Sequence, residues 1–267
     1  MKGTKQAFLI LLLLISLISL KAQVGLNSGS KIETPPEYYL KVKQFGEFID
    51  RFNYTSDWKG QLITDEFSQR VPRAGYLKFL INAEDSRLNN PADSSYRLLC
   101  NRFIDFAIAP ENPQKINLYQ GQVRAWVKVR IVFAGKEHLV DIEMLPEVLP
   151  DRSAKWSINK VVTDCFSSVT DSMASHFIAP NSHETGFINL NKLNGTSNPA
   201  YFLSRGLATD PTLLFVTEVA ENRLKVKTIE QLVYFITFPG YEITVEEFNR
   251  DFSNSGWIIS NIVAVTQ

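Results

Sequence analysis

Histidine is the side chain best suited to acid–base chemistry near neutral pH, and this chain contains three of them. His138 lies in a segment of alternating apolar residues, where it falls on the same side as Val140 and Ile142. An imidazole on the apolar side of a strand could line a pocket as a general acid or base, with Asp50 or Asp105 as its partner. The structural alternative is a histidine near a strand end that bonds to backbone or to water.

The other two histidines could ligate a metal ion together with a neighbouring acid. His176 and His183-Glu184 match no defined metal-site spacing, and structural zinc usually needs four nitrogen or sulfur ligands. Ser182 before His183 is better explained as the N-cap of a helix, with Glu184 favoured in its first turn. We therefore assign no metal site and no cofactor. The sequence also lacks a G-x-S-x-G elbow, a phosphate-binding P-loop, an H-E-x-x-H motif and a C-x-x-C pair.

One aromatic residue stands on the polar side of a predicted strand. Trp126 alternates with Val127 and so shares its side with Arg124, Lys128 and Arg130. An aromatic side chain among cations on an exposed sheet face is a candidate interface with a partner. The alternative is that a neighbouring part of the chain covers it. Either interpretation predicts that this face is not plain solvent-facing sheet.

The two cysteines, Cys100 and Cys165, allow two interpretations. In an oxidising compartment they could form a disulfide that closes a long loop and stabilises the fold. They could equally be two separate buried thiols, because free cysteine behaves as a small apolar residue. The spacing alone does not choose between these alternatives.

The N-terminus has the pattern of a secretory signal. Two lysines precede a 14-residue apolar run from Ala7 to Leu20, and Ala22 supplies a small residue for cleavage. We predict a signal peptide over residues 1–22 and a flexible leader over 23–34. An uncleaved signal anchor is the alternative, although a spanning helix needs about 20 apolar residues. The ending of this segment resembles signals of Gram-negative bacteria, which predicts a secreted or periplasmic protein with no membrane attachment after cleavage.

Charge excludes one class of partner. Cleavage after Ala22 removes three lysines and no acids, so 25 basic residues remain against 28 acidic ones and the net charge is −3. Nucleic-acid-binding proteins usually carry a basic surplus that neutralises phosphates, so we expect no nucleic-acid partner. The remaining 245 residues, 45% hydrophobic in the full chain, suffice for one large or two small cores.

Apolar spacing predicts helices first and strands second in each half of the chain. In the first half, helical spacing covers residues 34–52 and 95–107, and strands are predicted over 123–133, 137–144 and 156–162. In the second half, helices begin near Ser182, Asn198 and Asp210, and strands are predicted over 224–238, 241–248 and 257–265. The class is therefore α+β, with antiparallel meanders.

The two halves also share sequence. Residues 133–141 (FAGKEHLVD) match 238–246 (FPGYEITVE) at an offset of 105, and 156–161 (WSINKV) match 257–262 (WIISNI) at an offset of 101. Glycine permits the hairpin turn in each copy. Chance likeness between two hairpins is the alternative to duplication. We predict a tandem repeat: a first unit over 35–168 and a shorter second unit over 169–267.

A helix-first unit closed by a bent meander that ends in Trp-x-Ile resembles the NTF2-like (SnoaL-like) cone fold. The resemblance implies a conical pocket in each unit, used by some members for catalysis with a His/Asp pair and by others only to bind ligands or partners. Residues 177–185 are also similar to a segment of secreted bacterial proteins of unknown activity. Two functions follow as expectations: a non-enzymatic binding or assembly module for a protein or small molecule, or an enzyme or ligand binder that uses His138 in the first unit.

Overall fold

A computed structural model describes residues 41–166, 210–251 and 253–266, all of which belong to one compact unit. The helices are α1 (Phe45–Phe52), α2 (Asp65–Arg70), α3 (Arg73–Lys78), α4 (Ser95–Ile108) and α5 (Pro211–Ala220). The strands are β1 (Val123–Phe133), β2 (Lys136–Val148), β3 (Ala154–Val162), β4 (Leu224–Phe238), β5 (Tyr241–Phe248) and β6 (Gly256–Ala264). The predicted α+β class is confirmed. The predicted signal peptide, the leader and the helices near Ser182 and Asn198 lie outside the described residues.

All six predicted strands are present, and they form one antiparallel sheet in the order β3-β2-β1-β4-β5-β6. The sheet contains strands from both predicted units, 35–168 and 169–267. The two meanders join because β1 pairs with β4 along its whole length, from Val123 opposite Ile236 to Phe133 opposite Leu224. The described parts of 35–168 and 169–267 therefore share one sheet.

The two meanders nevertheless have the same hairpin register. Phe133 pairs with Lys136 in the first hairpin, and Phe238 pairs with Tyr241 in the second, so both strands of one hairpin map onto the other at an offset of 105. Each turn has a glycine with positive φ, 75° at Gly135 and 79° at Gly240. The strand order is also symmetric about the boundary between β1 and β4. The shared sequence motifs thus occupy equivalent positions in the sheet.

Helices cover one face of the sheet, and the helices of each half pack mainly on the strands of the other half. One apolar cluster joins α1 and α4 of the first half to buried residues of β4, β5 and β6, among them Ile236, Ile243 and Ile259. A second cluster joins Leu214 and Phe215 of α5 to buried residues of β1, β2 and β3. The helices before β1 therefore pack mainly on the later strands, and the helix before β4 packs on the earlier ones.

The start of α5 has a local cause, whereas the late start of α1 has a long-range one. Asp210 caps α5, since its carboxylate accepts hydrogen bonds from the amides of Thr212 and Leu213, and proline occupies the first turn. The helix predicted from residue 34 is described only from Phe45. Val42 has helical spacing with Phe45, but its backbone pairs with β6 at Gly256, so this part of the chain is extended.

Candidate functional site

The residues selected from sequence around Trp126 do lie together on the sheet face opposite the helices. Alternation along β1 buries Val127 and Val129 and turns Trp126 and Lys128 to the other side, where Trp126 is half-exposed. The neighbouring strands continue this surface. We call it the Trp126 face, and it consists of Arg124, Trp126, Lys128 and Arg130 of β1, Leu139 and Asp141 of β2, and Val162 of β3.

The cations of the Trp126 face are not free charges, because each is paired with a carboxylate on another strand of the sheet. The pairs are Arg124–Glu242 at 2.7 Å, Lys128–Asp141 at 3.6 Å, Arg130–Glu230 at 2.8 Å and Arg130–Glu137 at 3.3 Å. The hydrogen bond from Arg130 lowers the pKa of the Glu230 carboxyl. The face is thus charge-balanced rather than cationic.

Two exposed aliphatic side chains complete the Trp126 face. Leu139 is 52% exposed and Val162 is 42% exposed, and both lie next to Asp141 on the surface. Sequence reasoning missed these two residues. The signal was available, because Leu139 alternates with the buried Val140 just as Trp126 alternates with Val127. Exposed apolar side chains beside paired ions are typical of an interaction surface rather than of a reaction centre.

His138 does not meet the acid that catalysis would need. Its side chain is half-buried on the helix-facing side of β2, opposite Ile131, and it forms no hydrogen bond or ion pair with any described residue. Asp50 and Asp105 are exposed on α1 and α4. Those helices pack in the cluster of β4 to β6, whereas the buried neighbours of His138 belong to the α5 cluster. The described residues therefore provide no acid–base pair at His138.

The candidate metal ligands from the sequence are the next residues to place. His176, His183 and Glu184 lie outside the described residues. Within the described ranges, no three His, Cys, Asp or Glu side chains are grouped as metal ligands would be.

The structure contains both cysteines as free thiols. Cys100 is buried in the cluster of α1 and α4, and burial raises the pKa of its thiol to about 11. Cys165 packs against the α5 cluster, where burial also raises its pKa. The two thiols are not bonded to each other in this structure and lie in different clusters, which favours the alternative of two separate thiols.

Two clefts of about 410 Å³ open on the described surface. One lies between residues 41–43 and the turn before β6, and its lining includes Glu247 and Arg250. The other lies where β5 separates from β4, between Ile229 and Trp257. Neither cleft is lined by His138, so neither supports the catalytic interpretation of that residue.

Comparison of the chain with models of known protein families, with curated proteins and with solved structures finds no match. The NTF2-like resemblance therefore stays a prediction. Among the described helices, none combines the length and apolar character that crossing a bilayer requires. The class that the fold itself defines is an α+β protein with a single six-stranded antiparallel sheet covered by helices on one face.

Proposed function

We propose that the protein is a secreted or periplasmic binding module without catalytic activity of its own, and that it docks a partner protein on the Trp126 face. The observation that carries the proposal is the half-buried Trp126 on a sheet face whose cations are paired with carboxylates. Tryptophan is enriched among the few residues that dominate binding energy at protein interfaces. Leu139 and Val162 add exposed apolar surface to the same face, on the far side of the Lys128–Asp141 pair.

The paired charges define the kind of partner. Lys128 and Asp141 neutralise one another, as do Arg124 and Glu242, so the face has little net field to attract a charged ligand. Exposed ion pairs contribute little affinity but favour one orientation of the partner. The partner is therefore a protein surface of mixed polarity with an apolar centre, and its binding depends only weakly on salt.

The proposal retains three finer features from the sequence. Duplication of a helix-then-meander unit is supported by the equal register of the β1–β2 and β4–β5 hairpins. The NTF2-like character of each unit and the export of the mature protein are parts of the proposal that rest on the sequence alone. The alternative enzyme with His138 as acid or base stays a prediction, and no described contact favours it.

Photocrosslinking in the native cell tests the docking surface. A photoreactive phenylalanine analogue is placed at Leu139 or at Val162, and the control position is Leu98, which is 49% exposed on α4. We expect adducts of defined mass from the two positions on the Trp126 face and none from Leu98. The Trp126→Ala variant should lower the adduct yield by about tenfold or more, since an interface tryptophan commonly contributes 2 kcal/mol or more.

Each outcome of this experiment decides the proposal. Adducts that depend on Trp126 support it. Equal adducts at Leu98, or adducts at Leu139 that Trp126→Ala leaves unchanged, refute it. Circular dichroism of Trp126→Ala separates lost docking from lost folding, because a half-exposed side chain on the sheet surface should leave the melting curve near that of the unchanged protein.

A further inference from the structure

The two edge strands of the sheet, β3 and β6, are treated differently by the rest of the chain. Along β6, most of the backbone groups that point away from β5 bond to other parts of the chain. The amide of Trp257 donates to Val42 at 2.9 Å, and the amide of Ile259 donates to Leu80 at 2.7 Å. The carbonyl of Ser255 accepts from Val42 at 3.0 Å. Two extended segments of the same chain thus close this edge.

Strand β3 is the equivalent edge of the other meander, and its outward groups can be identified. The amide of Val161 points away from β2 and donates to the Thr212 hydroxyl at 2.9 Å. The equivalent amide in β6, that of Ile262, donates to the Tyr96 hydroxyl at 3.2 Å. Both strands also have a bulge at the same relative position, at Asn159 in β3 and one residue after Ile259 in β6.

The equivalence of β3 and β6 identifies the β3 residues whose backbone N–H and C=O groups point away from β2. They are Ala154, Trp156 and Ile158, which correspond to Ser255, Trp257 and Ile259 of the β6 edge. None of the three has a hydrogen-bond partner on this side among the described residues. Ile158 is also 39% exposed. An unpaired run of strand edge with an exposed aliphatic side chain is a template for the addition of another strand.

We infer that the strand that pairs with this edge is β3 of a second copy of this chain. The two β3 strands run antiparallel and are related by a two-fold axis at Trp156. The three residues with outward backbone groups are two positions apart in the sequence, and Trp156 is the middle one. This arrangement pairs Ala154 with Ile158 of the second copy and Trp156 with its own counterpart. In an antiparallel ladder each such pair exchanges two hydrogen bonds, so every outward group finds a partner.

The side chains are compatible with this register. Lys155 stands opposite Ser157 of the second copy on the Trp126 side of the sheet, so no like charges face each other directly. Lys155 is also paired with Glu147 of its own chain, at 3.6 Å. The dimer joins two six-stranded sheets into one continuous sheet and leaves Trp126 outside the contact.

Proline substitution at the edge tests the dimer without breaking the monomer. Ile158→Pro removes an amide that has no described partner within the chain, and proline is tolerated on edge strands in that orientation. The matched control Ile158→Val keeps the amide and the β-branched side chain. Because two of six ladder bonds are lost, we expect the dimer dissociation constant to rise by about 10- to 30-fold for Ile158→Pro and to stay nearly unchanged for Ile158→Val. Sedimentation velocity of the mature chain measures both.

Cysteine crosslinking tests the register separately. In this register, position 155 of one copy faces position 157 of the other. A Lys155→Cys chain paired with a Ser157→Cys chain therefore brings two cysteines together, whereas a dimer of either variant with itself does not. We expect an oxidised dimer when the two variants are mixed in a Cys165→Ser background, and little when either is oxidised alone. A monomeric mature chain at 100 µM, or a dimer that Ile158→Pro does not weaken and the mixture does not crosslink, would overturn the inference. Trp126→Ala should leave the dimer intact, which separates this contact from the proposed docking face.

Discussion

Gly256 lies against the backbone of Val42 so closely that a Cβ atom at position 256 would stand 1.9 Å from the Val42 carbonyl oxygen. The φ of Gly256 is also +84°, a conformation that residues with a side chain rarely adopt. This contact begins the closure of the β6 edge, since Val42 bonds on both sides of Gly256. Two independent constraints therefore require glycine at this position.

Gly256→Ala should destabilise the protein far more than the same change in a turn with similar φ. Gly240 has a φ of +79°, but a Cβ there would meet nothing within 4 Å. Gly240→Ala should therefore cost about 1–2 kcal/mol, the penalty of the left-handed conformation. Gly256→Ala adds a steric clash with backbone, and we expect more than about 4 kcal/mol. Urea unfolding measures the difference, and equal losses would contradict the close approach of Val42.

Thiol labelling should distinguish the two cysteines. At pH 8 in the folded state, Cys165 should react first because it is only half-buried, whereas Cys100 is buried with a pKa raised to about 11. In denaturant, two thiols should react without added reductant. Recovery of no thiols in denaturant would mean that the cysteines are oxidised together, contrary to their separate clusters. The Cys165→Ser variant checks the assignment, since its fast phase should disappear.

Stability should fall at high pH through Tyr96 and Cys100. Burial raises the pKa of Tyr96 to about 12 and that of Cys100 to about 11, so the folded state favours their protonated forms. A raised pKa gives stability that is fully present below the pKa of the unfolded chain and is lost as the pH rises through the folded-state value. The urea midpoint should therefore drop between about pH 9 and 12.

Two variants and one control locate this pH dependence. Tyr96→Phe and Cys100→Ala should each flatten the alkaline drop in the urea midpoint, although both start from lower stability at pH 7. Tyr119→Phe, at an exposed tyrosine, is the control for loss of a phenol hydroxyl outside the core. An unchanged slope in both core variants would show that other groups carry the alkaline transition.

The predicted leader can be tested by the mass of the exported chain. Expression in a Gram-negative host should yield a periplasmic or secreted protein that begins at Gln23, as cleavage requires a small residue at Ala22. Ala22→Arg should block cleavage and leave the leader attached, while Ala22→Ser should be processed normally. A product from the unchanged chain that retains Met1 in the envelope would support the uncleaved anchor instead.

The strands and two helices could be predicted because their signals are local. Alternation from Val123 to Phe133 and the Asp210 cap each lie within one element, and the structure has both. The start of α1 could not be predicted from spacing. Val42 continues the helical pattern of Phe45, but a backbone pair with Gly256, far along the sequence, keeps it extended.

The partners of the Trp126 face on other strands could not be predicted either, because they too are far from β1 in the sequence. Alternation placed Arg124 and Trp126 on one side of β1 correctly. The partner of Arg124 is Glu242, which is distant in sequence, and it is brought near only because β1 pairs with β4. Without knowledge of that pairing, the sequence showed only cations around Trp126 and did not show which carboxylates pair with them.

The crosswise packing of the helices has a consequence for how the chain acquires its structure. The apolar sides of α1 and α4 have their main partners in β4, β5 and β6, which are made last. A first half without those strands therefore lacks the main packing partners of α1 and α4, and contacts this distant along the chain form slowly. We therefore expect the first half to complete its core only when the C-terminal strands are present, which leaves its apolar helix faces exposed in the interval.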